Sequence, residues 1–358
     1  MTSESTPRKN RRSTQEGLAA PPAEAIGKTT INDIARLAGV SKKTVSRVLN
    51  NSPLVREDTR ERVRALMQQR SYEPDPQARG LAFRRSFLVG LVFDNPTAQY
   101  IVNMQYGVLD ALQGSSFELV VHPCDSRSAG YIDGVRRFVT QQKLFGVILI
   151  PRVSEDQALA DALTEIGCRY VRIASIRLDQ PGHMLQTQDR LAGIEVAHYL
   201  DSLGHKQLGL ITGPKRYRSS IERGEGFSEG LSRRGISLDP KYAYEGGYTF
   251  ESGVAGAEHL LSLTPRPTAI FACNDEMAAG VYKAALRMGL SIPGDLSVIG
   301  YDDSPLASQL WPSLTTVRLP VRDVGRQATQ LLLAESTQSA LISVTPHLVV
   351  RDSSQPPR

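Results

Sequence analysis

The sequence predicts a small all-α helix-turn-helix head joined to a two-lobed α/β core of mostly parallel, doubly wound sheets. Three observations carry that expectation. Apolar side chains between residues 30 and 69 recur at helical spacing, with a glycine where a turn is needed. From Phe87 onward short apolar runs alternate with amphipathic stretches, which is repeated βα and hence parallel sheet covered by helices on both faces. Charge is also uneven: residues 1–85 carry 17 Lys/Arg against 9 Asp/Glu, a net of +8, while the remaining chain carries 25 against 28, a net of −3. Positive charge gathered at one end suits a polyanionic partner for that end alone.

Residues 1–28, "MTSESTPRKNRRSTQEGLAAPPAEAIGK", are rich in Ser, Pro, Arg and Ala and read as a disordered arm with no apolar run of signal-peptide length. Arg8, Lys9, Arg11 and Arg12 are available to phosphate, although a solubilising tail accounts for them equally well. Residues 29–73 form the head. Thr30 and Asp33 make a capping box, and Ile31, Ile34, Ala35 and Ala38 fall on one helical face. Gly39 stops that helix and Ser41 caps the next. In the second helix Val45, Val48 and Leu49 form a narrow apolar stripe, leaving Lys42, Lys43, Ser46 and Arg47 outward. A third helix begins near Glu57, with Val63, Leu66 and Met67 inward. Three short helices with a Gly turn after the first are the layout whose second helix enters the major groove, where Lys, Ser and Arg meet base edges. A plain surface helix could carry the same charges, but it needs neither the Gly39 turn nor the Ser41 cap.

Residues 74–86 read as a hinge. Pro74 and Pro76 break any helix, yet Ala78, Leu81 and Ala82 leave one potential helical turn. Leu81 beside Arg79, Arg84 and Arg85 resembles the apolar wedge of minor-groove binders.

Residues 87–353 form the core, with strands expected at 87–93, 117–122, 145–150, 170–174, 207–213, 269–273 and 296–302. Helices are expected between them, among others at 100–112, 191–203 and 276–288. A length of about 270 residues favours two lobes over one sheet. Ligands of such sheets bind beyond the carboxyl ends of the strands, which singles out Asp94, Asn95, Asp125, Asn274, Asp275, Asp302 and Asp303. Several of these also suit helix caps, Asn274 and Asp275 most of all. Residues 354–358 are left as a C-terminal tail.

Other motifs carry little. "GFSEG" at 226–230 matches the nucleophile elbow of hydrolases, but its polar, helical surroundings are wrong for a strand–turn–helix. "GPKRYRSS" at 213–220 lacks the Gly-Lys-Ser/Thr ending of a phosphate loop. His198 and His205 have no ligand-spaced partners and read as structural. Cys124, Cys168 and Cys273 are too scattered for a disulfide framework or zinc site. No metal, cofactor or catalytic constellation is expected, nor a membrane span, and reducing cytoplasm is the expected compartment. These absences weigh against an α/β enzyme or a recombinase. The basic head weighs against a sugar-binding transport protein.

The sequence resembles the LacI/GalR family of bacterial transcription regulators over residues 29–353. The head, "TTINDIARLAGVSKKTVSRVLNNSPLVREDTRERVRALMQQRSYEPDPQARGLA", follows the family pattern nearly throughout. The core matches in "GHKQLGLITGP", "ERGEGF", "PTAIFACNDEMAAGVYKAALRMGLSIPGDLSVIGYDD" and "PSLTTVRLP". The resemblance implies a periplasmic-binding-protein-like core, a homodimer on a near-palindromic operator, and a repressor whose DNA affinity is set by a small effector in the interlobe cleft. It implies base reading by Lys42, Lys43 and Ser46, supporting contacts from Thr44, Arg47 and Asn50, and minor-groove insertion by Leu81. Thr30 and Ser41, at the two helix starts, are grouped with the DNA-facing residues. For the effector it implies a polar clamp of Arg223, Asn274 and Asp302, with Tyr248 as an aromatic platform and Trp311 near the same mouth. Asp94 and Asn95 join them from the first strand end. A carbohydrate is the expected effector, with a nucleobase as the alternative. Leu319 stands where glutamine is common, Arg56 where a capping serine is usual, and no leucine heptad follows Arg351.

Overall fold

The structure, a computed structural model, describes residues 29–49, 52–72, 86–95, 97–334 and 340–358. It divides into two compact units, the head and the core. The expectations for the arm at 1–28, for Asn50, and for residues 74–85 with Leu81 lie outside the described residues.

The head holds α1 (Ile31–Leu37), α2 (Lys42–Leu49) and α3 (Glu57–Gln69). Its core is Ile34, Ala35, Ala38, Val45, Val48, Val55 and Val63, the apolar face read from the sequence together with Val55. Thr30 donates both its N–H and its hydroxyl to Asp33 Oδ2, closing the capping box. Gly39 takes φ +64°, the left-handed conformation that ends α1. Arg60 on α3 is nearly buried and donates to Ser52 O at 2.9 Å, tying α3 to the loop before it. Arg56 stands at the α3 N-cap without a capping hydrogen bond.

The core contains two six-stranded sheets. In the first lobe the order is β11 (Ile342–Val344), β5 (Met184–Thr187), β4 (Arg169–Ala174), β3 (Gly146–Leu149), β1 (Leu88–Phe93), β2 (Glu118–Pro123), all parallel. In the second it is β12 (His347–Val349), β10 (Thr315–Arg318), β9 (Ser297–Tyr301), β8 (Ala269–Ala272), β6 (Leu208–Thr212), β7 (Ala243–Glu245), with only β10 and β12 antiparallel. The seven expected strands form within a residue or two of their predicted bounds. Strands β5, β7, β10, β11 and β12 are additional; each has three or four residues.

The chain passes between lobes at three places, after β5, after β10 and after β11. Its helices continue as α4 (Ala98–Leu112), α5 (Tyr131–Gln142), α6 (Gln157–Glu165), α7 (Asp189–Ser202), α8 (Arg218–Ser232), α9 (Phe250–Leu261), α10 (Asp275–Arg287), α11 (Pro305–Gln309) and α12 (Val321–Leu333). Helix α12, although late in sequence, packs against α4 in the first lobe, and α7 packs against α8 in the second. Both pairs are close because glycines face the partner backbone. A Cβ at Gly107 would lie 2.0 Å from Arg322 O, and one at Gly226 would lie 2.1 Å from Arg190 O.

Residues 354–358, expected as a tail, are tied to the second lobe. Gln355 O meets His205 Nε2 at 2.9 Å and accepts from Ser297 Oγ at 3.0 Å. His205 is thereby a satisfied structural histidine, bonded through its other nitrogen to Thr268. Among the described residues no helix is long and apolar enough to cross a membrane.

Candidate functional site

In the head, Ser41 Oγ accepts from the Thr44 N–H at 3.1 Å and caps α2. Val45 and Val48 are buried, so the opposite side of the helix is turned outward. Lys42 and Lys43 are exposed; Thr44, Ser46 and Arg47 are half-buried. Among the described residues neither lysine nor Arg47 forms an ion pair with a carboxylate, so their charge remains available to an outside anion.

In the core, the first crossing places Asp189 where β5 of the first lobe runs into α7 of the second. Its buried carboxylate collects four donors. Ser175 Oγ (2.9 Å) and Thr187 Oγ1 (2.5 Å) reach it from the first lobe. Arg223 Nε (2.8 Å) and Tyr301 Oη (2.9 Å) reach it from the second. Burial pushes the Asp189 carboxyl up, but Arg223 and these hydrogen bonds outweigh it and hold the group below the usual carboxylate range. Arg223 in turn lies 3.5 Å over the Tyr301 ring and donates to Cys273 O at 2.8 Å.

Above this pair lies a cavity of about 40 Å³, lined by Arg223, Asp189, Asp302, Asn95, Thr97, Ser175, Thr187, Ser219, the tyrosines 100, 217 and 248, and the apolar Pro151, Ile173 and Leu319. It adjoins a second hollow of about 170 Å³ that shares Thr97, Tyr100 and Asp302 and adds Gln99, Asn103 and Glu276. The side chain of Asp302 accepts no hydrogen bond among the described residues. Burial drives its carboxyl up to about 8 against the attraction of Arg223, with Asp275 and Asp189 pushing in the same direction as burial. Asp302 and its neighbour Asp303 both have positive φ, which turns the end of β9 sharply. Asp303 is spent on Arg318 and Arg351, at 2.5 Å each. Asp302 alone faces the cavity.

Tyr248 lies at φ +64° with its ring on Gly213, where a Cβ would come within 2.1 Å. It meets Tyr217 edge-on, with ring centroids 5.6 Å apart. Asn95 lines the cavity with its Oδ1 turned back to the Thr97 N–H.

Three residues expected in the effector set lie elsewhere. Asn274 is the N-cap of α10: Oδ1 accepts from Met277 N and Nδ2 donates to Tyr248 O, so it shapes the wall without lining the cavity. Asp94 gives its carboxylate to Ser126 and its carbonyl to Tyr217 Oη. Trp311, in the loop between α11 and β10, is 91% exposed and lines neither hollow. Asp189, Tyr100 and Tyr217 were missed by sequence reasoning, Asp189 because the short, polar strand before it does not read as one. The hydrolase-like "GFSEG" lies inside α8, with Ser228 Oγ bonded to Gly224 O, so no nucleophile elbow exists there.

Comparison with known proteins finds matches in both the head and the core. Residues 30–75 match the model for bacterial regulatory proteins of the lacI family, and residues 197–354 match the periplasmic binding protein-like domain. The chain is 32% identical to the probable HTH-type transcriptional repressor ExuR of Bacillus subtilis (strain 168) over 334 residues, 90% of this chain and 98% of that one. It is also 32% identical to the ribose operon repressor of Haemophilus influenzae, over 85% of this chain and 91% of the relative. Among solved structures, a lac repressor dimer bound to operator and the anti-inducer ONPF superimposes with a TM-score of 0.76 at 27% identity, covering 92% of this chain and all of that one. A complex of the regulator CelR with cellobiose gives 0.69 at 28% identity, covering 91% and 99%. With a matching head, a matching core and identity sustained along nearly its whole length, the chain belongs to the LacI family of bacterial helix-turn-helix transcriptional regulators.

Proposed function

We propose that this regulator is a homodimeric repressor that binds a near-palindromic operator and is controlled by a small uncharged polyol, a carbohydrate, held in the interlobe cleft. The observation that carries the effector reading is Asp302, a carboxyl that accepts no hydrogen bond among the described residues, set with Arg223 in a cavity walled by three tyrosines. Paired polar groups read adjacent hydroxyls, and aromatic faces pack on a sugar ring. The charge balance favours an uncharged ligand. Among the described residues Arg223 is the one cation lining the cavity, and its charge is already met by Asp189. A sugar acid or phosphate entering here would find no free cation to offset its desolvation. Relatives named for ribose repression and for cellobiose binding support the same class.

For DNA, Lys42, Lys43 and Ser46 take base edges, with Thr30, Ser41, Thr44, Arg47 and Asn50 supporting. Leu81 acts as the minor-groove wedge, which loss of operator bending in Leu81→Ser would test. Dimerisation fits the outer face of α4, where Val102, Tyr106 and Leu109 stay exposed at helical spacing. The experiment for the effector is a thermal-shift screen of neutral sugars, sugar acids and nucleobases. Stabilisation by a neutral sugar supports the reading; stabilisation by nucleobases alone would replace it.

A further inference from the structure

Two hydrogen bonds cross the cleft at one edge. Both oxygens of Glu155, in the turn Val153–Glu155 that follows β3, accept from the backbone N–H of Arg218, at 3.1 and 3.2 Å. Beside them the Tyr217 hydroxyl donates to Asp94 O at 3.3 Å. The acceptors belong to the first lobe and the donors to the second. Arg218 opens α8, a helix of 15 residues whose first N–H groups have no partner within the helix. A carboxylate at that point satisfies one of them and meets the positive end of the helix dipole. Burial pushes the Glu155 carboxyl up to about 7 against this backbone bond and the attraction of the Arg152 and Arg218 side chains, the latter also 3.6 Å from Glu222.

The turn that bears Glu155 is fixed from beneath. Arg172 on β4 is fully buried, yet it does not line the cavity. Its Nε donates to Ser154 O at 2.6 Å and its Nη1 to Gln157 Oε1 at 2.9 Å. Ser154 Oγ donates back to Ile173 O at 2.7 Å. Burying a guanidinium is costly. This one bonds the segment either side of Glu155 and also the loop after β4, where Nη1 meets Asp179 Oδ2 at 3.4 Å and Leu178 O at 3.5 Å. Across the cleft, α8 is the same helix that carries Arg223.

We propose that Glu155 is the latch of lobe closure, a carboxylate positioned by Arg172 that grips the N-terminus of α8 in the closed core and lets it go when the lobes part. Closing the latch and bringing Arg223 into the cavity are then one movement. An effector that needs the closed cleft gains affinity from every contact that favours closure, so latch strength sets how much effector is required. That consequence rests on the effector reading of the cleft; the latch itself does not.

Hydrogen–deuterium exchange of the full chain without ligand tests it. In Glu155→Ala the amides of residues 217–222 should exchange about tenfold faster, the loss expected when a charged acceptor leaves a helix N-terminus. Small-angle scattering should show a larger radius of gyration, while β3 and β4 keep their protection. Tyr217→Phe, which removes only the neighbouring bond, should move both readouts the same way by less. Unchanged exchange and an unchanged radius in Glu155→Ala would overturn the latch. Because no ligand is present, that failure would leave the effector reading intact. Conversely, a sugar screen without hits would leave the latch standing.

Discussion

Asp302 holds a conflict between folding and binding. Unfolded, its carboxyl ionises near pH 4; folded, it keeps its proton up to about 8. Between those values folding takes up a proton, so this residue's contribution to stability falls as pH rises from about 4 to about 8. Asp302→Asn removes the cost, and Asn tolerates the positive φ found here. The variant should unfold about 1–2 kcal/mol later at pH 7 than wild type while losing most sugar affinity, with a reduced slope of stability against pH. Urea unfolding at pH 5 and pH 7.5 checks it. Arg223 behaves oppositely. Arg223→Ala leaves the buried Asp189 carboxylate without its cation, which should cost about 3–5 kcal/mol, whereas Arg223→Met with Asp189→Asn should cost far less. Melting temperatures of the single and double variants decide. Asp302 was legible from its place at a strand end, whereas Arg223, inside α8, was legible only through the family motif "ERGEGF". Asp189 was not, since "MLQT" before it is too short and too polar to read as the strand whose end it occupies. Asn274 shows the reverse: residue type and position were right, but capping consumed its side chain.

At the scale of elements, strands inside apolar runs announced themselves through Val, Ile, Leu and Phe, the four-residue β3 and β8 included. The short β5, β7 and β10 to β12 did not, because sheet position rather than composition makes them strands. Helix contact was equally hidden. Gly226→Ala would place a methyl against Arg190 O, pushing α8 off α7 and drawing Arg223 away from Asp189. We expect a loss of about 2–3 kcal/mol or more, together with weakened sugar binding, by calorimetry of the folded variant. In the head, Lys43→Ala should relax preference at one operator position by about 1–3 kcal/mol. Binding to a randomised operator set separates this from a phosphate contact, which would weaken all sequences alike.

At the scale of the molecule, the charge asymmetry and the βα rhythm gave the division into head and core. The three crossings between lobes were not legible. They depend on which strand ends meet, and they place α12 of the late chain beside α4 of the early chain. Those crossings put Asp189 and Leu319 at the junction of the lobes. The central claim is that a ligand held by Arg223 and Asp302 governs DNA binding by the head. One measurement tests it most directly: operator affinity of wild type and Asp302→Asn, by fluorescence anisotropy on a duplex selected from random DNA, titrated with the sugar that stabilises wild type. The account predicts equal affinity without sugar, a fall of at least tenfold for wild type as sugar is added, and little change for Asp302→Asn. An equal response from both proteins, or none from wild type, would contradict it.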